Sequence, residues 1–202
     1  MLIGITGRAG AGKNVVGTIL NEHHQFTVSA FATPIKLVVA FMLGVDVSQW
    51  EDREWKEATL PVWNRSPREL AQTLGTEWGR RQVHENIWID LALHVIAADK
   101  RACITDIRFR NEADIIRAMG GHIVHVHRAD STATTPHDSH SSEQGIGNPN
   151  TQDFHVNNFG TIDDLAAQLE QVVNRIVVID DARAAEDAER KEQATRHADA
   201  AL

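Results

Sequence analysis

Gly7-Arg8-Ala9-Gly10-Ala11-Gly12-Lys13 follows the short apolar run Leu2-Ile3-Gly4-Ile5-Thr6 and precedes Val15, Val16, Ile19 and Leu20, which are spaced as one face of a helix. Read outward from the glycines, this is strand, loop, helix, and the spacing G-x-x-x-x-G-K is that of a phosphate-binding loop. The glycines let the backbone turn tightly and aim successive N–H groups inward. The helix start adds partial positive charge, and Lys13 can reach the outer phosphates. Where the motif has Ser or Thr after the lysine, this chain has Asn14 and then Val15. The Asn14 carbonyl oxygen is a hard ligand of the kind Mg²⁺ takes, directly or through water.

At 202 residues the chain is long enough for one α/β domain with a substantial core. Its net charge of −8 argues against a general nucleic-acid-binding surface. A lone cysteine, Cys103, forbids an internal disulfide and suits a reducing cytosol, so a cytoplasmic location is expected, in the host cytoplasm if a phage encodes the chain. No signal peptide is read at the N-terminus, and the apolar run 37–45 is too short to span a bilayer, so no membrane partner is expected.

Strand and helix patterns alternate along the chain. Strands are expected at 2–6, 26–29, 102–105, 123–127 and 154–156. Helices are expected at 12–23, from Pro34 to about Leu43, from Pro67 to about Arg81, at 87–98, at 111–119 and at 161–176. Ser66-Pro67-Arg68-Glu69 spells a helix start, with a Ser cap, Pro in the first turn and Glu three residues on. All five tryptophans fall between 50 and 88. Residues 129–152 carry neither pattern, and a loop of that length in a compact domain is usually functional or disordered. The segment 179–202 is rich in Ala, Asp and Glu and reads as frayed helix or disorder outside a 1–178 domain. Such alternation predicts a parallel sheet with its ligand at the strand C-terminal edge. Gly7, Asp106–Arg108 and the 129–152 loop all fall at such edges. Among the histidines 122, 125, 127, 137, 140 and 155 no tight ligand spacing appears, so no structural zinc site is expected.

Several blocks together resemble the phage-type deoxynucleoside monophosphate kinases, a branch of the P-loop nucleoside monophosphate kinases. They are Gly7–Lys13; Phe31-Ala32-x-Pro34-x-Lys36; Pro67-Arg68-Glu69-Leu70-x-Gln72-x-Leu74-Gly75-Thr76-Glu77; Asp106-x-Arg108-Phe109-x-Asn111-Glu112; Gly120-Gly121; and His140-x-Ser142-Glu143. The likeness covers about residues 1–175 and departs from the family pattern at Asn14, Val15 and Thr33. It implies a three-layer α/β P-loop NTPase fold: a central parallel sheet, a helical monophosphate-binding insertion at 46–98 and a lid loop at 129–152. The activity it implies is transfer of the ATP γ-phosphoryl group to a deoxynucleoside monophosphate.

That reaction needs no strong base, because its acceptor is a phosphate oxygen already largely ionised at neutral pH. It needs two charged groups held in line and their charge neutralised. On this reading the ATP phosphates take Gly7, Arg8, Gly10, Ala11, Gly12, Lys13 and Asn14, and Asn157 and Asn158 lie near adenine. Asn14 and Asp106 serve Mg²⁺, Asp106 through water. Arg108 bridges toward the acceptor, and Arg128 closes over ATP as a lid cation. The monophosphate takes Lys36, Arg68, Gln72, Trp78, Arg108, His140, Ser142 and Glu143, with Arg68 and Gln72 sharing a helix face. The partners are small nucleotides, and the 46–98 helices offer a surface for a homodimer. Two other readings stand beside this one: another P-loop small-molecule kinase such as a dephospho-coenzyme A kinase, and a nucleotide-binding module without catalysis. The first needs a base near the second strand, and Val28 to Lys36 holds no carboxylate.

Overall fold

The structure, a computed structural model, describes residues 1–128, 146 and 150–199. Five strands form one parallel sheet: β1 (Leu2–Thr6), β2 (Thr27–Ser29), β3 (Ala102–Ile107), β4 (His122–His127) and β5 (Phe154–Asn157), in the order β2-β3-β1-β4-β5. The glycine-loop strand is central, with Ile3 aligned to Cys103 on one side and to His122 on the other. Its continuous apolar sequence follows from this, because a central parallel strand is covered on both faces.

The two faces have separate cores. On one, Ile3, Ile5, Cys103, Val124, Val126 and Val156 pack against Val16, Ile19 and Leu20 of α1 (Lys13–His24) and against Leu165, Leu169, Val173 and Ile176 of α7 (Ile162–Asp199). On the other, Ile104, Ile107 and Ile123 meet Phe31, Trp88, Ile89 and Ala92, and also Ala113 and Ile116 of α6 (Arg110–Ala118). Trp88, Ile89 and Ala92 belong to α5 (Ile87–Ile96). Helices thus cover both sides of a sheet, giving three layers. Burial pushes the Cys103 thiol up to about 12.

Between β2 and β3 stand α2 (Thr33–Leu43), a tight 3₁₀ turn Val47–Glu51, α3 (Arg53–Glu57), α4 (Pro67–Gln72) and α5. The sequence-expected start of α4 is present: Ser66 Oγ accepts from Glu69 N–H at 3.2 Å, and a Glu69 carboxylate oxygen accepts from Ser66 N–H at 2.7 Å. The helix does not stay α-helical. It is α over Pro67–Gln72 and a π-helix over Thr73–Val83. π-Geometry is rare and mostly confined to single turns at functional sites. Two glycines and one indole support it here. The Trp88 Nε1–H donates to Gly75 O at 2.7 Å. The ring itself lies where a Cβ on Gly79 would come within 2.6 Å.

The last helix differs from expectation. It runs on from Ile162 to Asp199 instead of ending near residue 176. Part of the extension is tied to the body: Asp180 Oδ1 lies 2.8 Å from His122 Nε2, and Arg183 Nη1 donates to Gly120 O at 3.1 Å. Beyond them the described side chains are exposed, and Ala- and Glu-rich sequence favours helix without needing a partner surface. Among the described residues no helix is long and apolar enough to cross a membrane.

Candidate active site

The glycine loop leaves β1 and enters α1 with Gly7, Gly10 and Gly12 all at positive φ, and Gly10 and Gly12 at +76° and +99° lie in the region that favours glycine. Lys13 folds back on the loop, its Nζ donating to Gly7 O at 2.8 Å and to Arg8 O at 3.0 Å. A cavity of about 460 Å³ opens beside this loop. Ala9, Gly10, Gly12, Lys13 and Asn14 line it from the loop and the start of α1. Lys36 lines it from α2, Trp50, Lys56, Arg68 and Gln72 from the helical insertion, and Asp106, Arg108, Phe109 and Glu112 from the end of β3 and the start of α6.

Asp106 ties two of these regions together. Its carboxylate oxygens accept the N–H groups of Phe31 and Ala32 at 2.7 and 2.8 Å, which fixes the start of α2 against β3. Each oxygen keeps a lone pair that these bonds do not use. Asp106 and the Asn14 side chain therefore bring hard oxygen donors to the cavity that holds the loop amides, a donor set that fits Mg²⁺.

The helical side is cationic. Burial holds the Lys56 ammonium below its ordinary range, and the neighbouring charges of Arg68 and Lys36 push the same way. Lys56 Nζ donates to Trp50 O at 3.3 Å, and Arg68 pairs with Glu57 at 3.2 Å. The charges of Glu51 and Glu57 act against the lowering at Lys56, and Lys36, Lys56 and Arg68 all line the cavity, where they offer an anion cationic partners. Gln72 Nε2 is buried in the same wall with no hydrogen-bond partner among the described residues.

On the β3 side, Glu112 is buried and accepts from the N–H groups of Arg108 and Phe109 at 2.7 and 3.0 Å. Its other oxygen meets the Arg80 guanidinium, which lies over the Phe109 ring at 4.2 Å from the centroid. Burial raises the Glu112 carboxyl above its ordinary range, with the Asp106 charge adding to it and Arg80 and the two N–H groups opposing it.

Of the sequence-expected residues, Gly10, Gly12, Lys13, Asn14, Lys36, Arg68, Gln72, Asp106 and Arg108 thus share one cavity wall. Gly7, Arg8 and Ala11 belong to the loop but do not line the cavity. Trp78 does not line it either. It is half-exposed, with its ring 6.4 Å from that of Trp88. The tryptophan in the cavity wall is Trp50. Asn157 is exposed, with its main chain bonded to the Gln168 side chain, while Asn158 reaches the glycine loop. Arg128 is exposed just past β4 and outside the lining. His140, Ser142 and Glu143 lie outside the described residues.

The sequence reading missed Trp50, Lys56 and Arg80 as lining residues. It quoted Glu112 without giving it a role. Glu112 stands three residues after Phe109, where a helix-start carboxylate reaches back to main-chain N–H groups, so its anchoring had a local signal. Arg80 had none.

A family model described as deoxynucleotide monophosphate kinase matches residues 56–169. The chain is 28% identical over 185 residues to a protein of Acanthamoeba polyphaga mimivirus provisionally named a deoxynucleotide monophosphate kinase, with 84% of this chain and 94% of that one covered. It is 27% identical over 236 residues to the deoxynucleoside-5'-monophosphate kinase of Escherichia phage T5, with the same two coverages. A solved gluconokinase from Sinorhizobium meliloti 1021 superposes with a TM-score of 0.47 at 15% identity, over 87% of this chain and 95% of that one.

Proposed function

The chain belongs to the deoxynucleotide monophosphate kinase family, and from that premise we propose a division of labour within the cavity beside the glycine loop. The protein is a phosphotransferase that moves a phosphoryl group from ATP to a deoxynucleoside monophosphate, giving the diphosphate and ADP. The glycine-loop end takes the ATP phosphates, and Lys13 exchanges the carbonyls of Gly7 and Arg8 for phosphate oxygens. Lys36, Lys56 and Arg68 take the monophosphate, and the Gln72 amide reads an edge of its base. Arg108, in the same lining, balances the charge that spreads over the transferring group. Asn14 and Asp106 would hold Mg²⁺, Asp106 through water; the bound ion neutralises phosphate charge. Arg128, just past β4, is the cation that closes over ATP; His140, Ser142 and Glu143, expected at the monophosphate, lie outside the described residues.

What supports this reading is that the phosphate loop, Lys36, Lys56, Arg68 and Arg108 all line the same cavity. The test is a panel of deoxynucleoside and ribonucleoside monophosphates and dephospho-coenzyme A with Mg-ATP, read by diphosphate formation. Turnover of deoxynucleoside monophosphates is expected. Turnover of dephospho-coenzyme A alone, or of nothing in the panel, overturns the proposal.

A further inference from the structure

Asn158 follows β5 directly and touches the glycine loop from 147 residues away in sequence. Its main-chain N–H donates to His127 O at 2.7 Å, which ties it to the end of β4. Its side chain donates to Ala11 O at 2.9 Å. A carbonyl can only accept, so the amide nitrogen must be the atom facing it. Gly12, the next residue, lacks the atom that would block this contact: a Cβ built there would stand 2.3 Å from Asn158 Nδ2. The glycine and the amide are fitted to one another.

The Ala11 carbonyl and the Gly12 N–H belong to one planar trans peptide and point in opposite directions. Holding the carbonyl on the Asn158 side therefore aims the Gly12 N–H to the other side, and Gly12 lines the cavity. We infer that Asn158 is a positioning residue for the phosphate loop, setting the Ala11–Gly12 peptide so that it presents a donor to the triphosphate. The residue expected beside adenine then acts on the phosphates through the loop. This inference rests on the reading of the loop as the ATP phosphate site.

The two roles separate on ligands with and without a base. Binding of ATP and of inorganic tripolyphosphate is measured by calorimetry on the full chain and on N158A, N158S and N158D. Thermal unfolding reports whether each variant is folded. N158A is expected to weaken both ligands by the same factor, about tenfold for one lost hydrogen bond that aims a charged contact. The KM for a deoxynucleoside monophosphate should move by less than about twofold. N158D cannot donate and brings a negative charge to the loop, so it should weaken both ligands further. N158S, with its short hydroxyl, carries the same comparison should N158A fail to fold. A loss confined to ATP, with tripolyphosphate unaffected, places Asn158 at the base and overturns the inference, as does unchanged binding of both. The binding readout does not involve the acceptor. A wild-type chain that phosphorylates no monophosphate sinks the functional reading, and this inference still stands if ATP and tripolyphosphate binding fall together.

Discussion

Arg80 and Glu112 form a buried ion pair that joins the helix carrying Arg68 and Gln72 to the main chain of Arg108. Removing one partner of such a pair leaves a buried charge uncompensated, at a cost of about 3–5 kcal/mol. Glu112→Ala should therefore lower the urea midpoint sharply, because it also strands two N–H groups. Glu112→Gln keeps the shape and an acceptor oxygen, so it should cost less stability while still lowering kcat by loosening Arg108. Equal stability for wild type and Glu112→Ala would mean that the pair contributes nothing to the fold.

Arg68 and Lys56 should matter to one substrate only. Loss of a hydrogen bond to a charged group costs about 1.5–3 kcal/mol. Arg68→Ala and Lys56→Ala should each raise the KM for the monophosphate roughly tenfold or more and leave the KM for ATP near its wild-type value. Steady-state kinetics with each substrate varied in turn checks this, and an equal rise in both constants contradicts it.

Gly79→Ala tests the π-helix. The added methyl would meet three atoms of the Trp88 ring at 2.6–2.7 Å, and a buried ring hydrogen-bonded to Gly75 O has little room to yield. Overpacking of this kind costs about 1–3 kcal/mol. Denaturant unfolding should show the loss, and far-UV circular dichroism should show that the helix content is kept. A variant as stable as the wild type would show that Trp88 can move.

The histidines of β4 predict a pH dependence of stability. Burial lowers the pKa of His125 against the opposing pull of Asp153, and burial together with the charge of His155 lowers that of His127. A histidine harder to protonate in the folded state than in the unfolded state binds fewer protons when folded. Its contribution is fully present above the unfolded pKa of about 6.5 and is lost as the pH falls toward the lowered value. These histidines should thus cost the chain stability as the pH falls below about 6.5. His127→Gln, at an exposed position, should reduce that loss. Because protonation also lowers the net negative charge, the difference between wild type and variant is the quantity to read, and identical pH profiles would contradict the assignment.

Much of this architecture was legible because local chemistry and global placement agree. The strand–loop–helix around Gly7–Lys13 is one example, and the Ser66–Glu69 helix start is another. The π-helix was not legible, because no residue pattern in Thr73–Val83 separates it from an α-helix; the indole that supports it comes from the following helix. Nor does sequence show that Asp106 will lie against Phe31 and Ala32. The segment Val28–Lys36 lacks a carboxylate of its own, yet the fold delivers one from β3. An argument from the residues of one segment could therefore not decide between acceptor chemistries there, and the family match does.

Cys103 has a practical consequence. A sulfhydryl reacts as its anion, and one held near 12 inside the sheet is almost never in that form at neutral pH. Maleimide dyes and spin labels should pass it by. A single cysteine introduced on an exposed turn of α7 would then carry the whole signal, so distance and mobility measurements could follow the enzyme through its cycle without first removing the native sulfur.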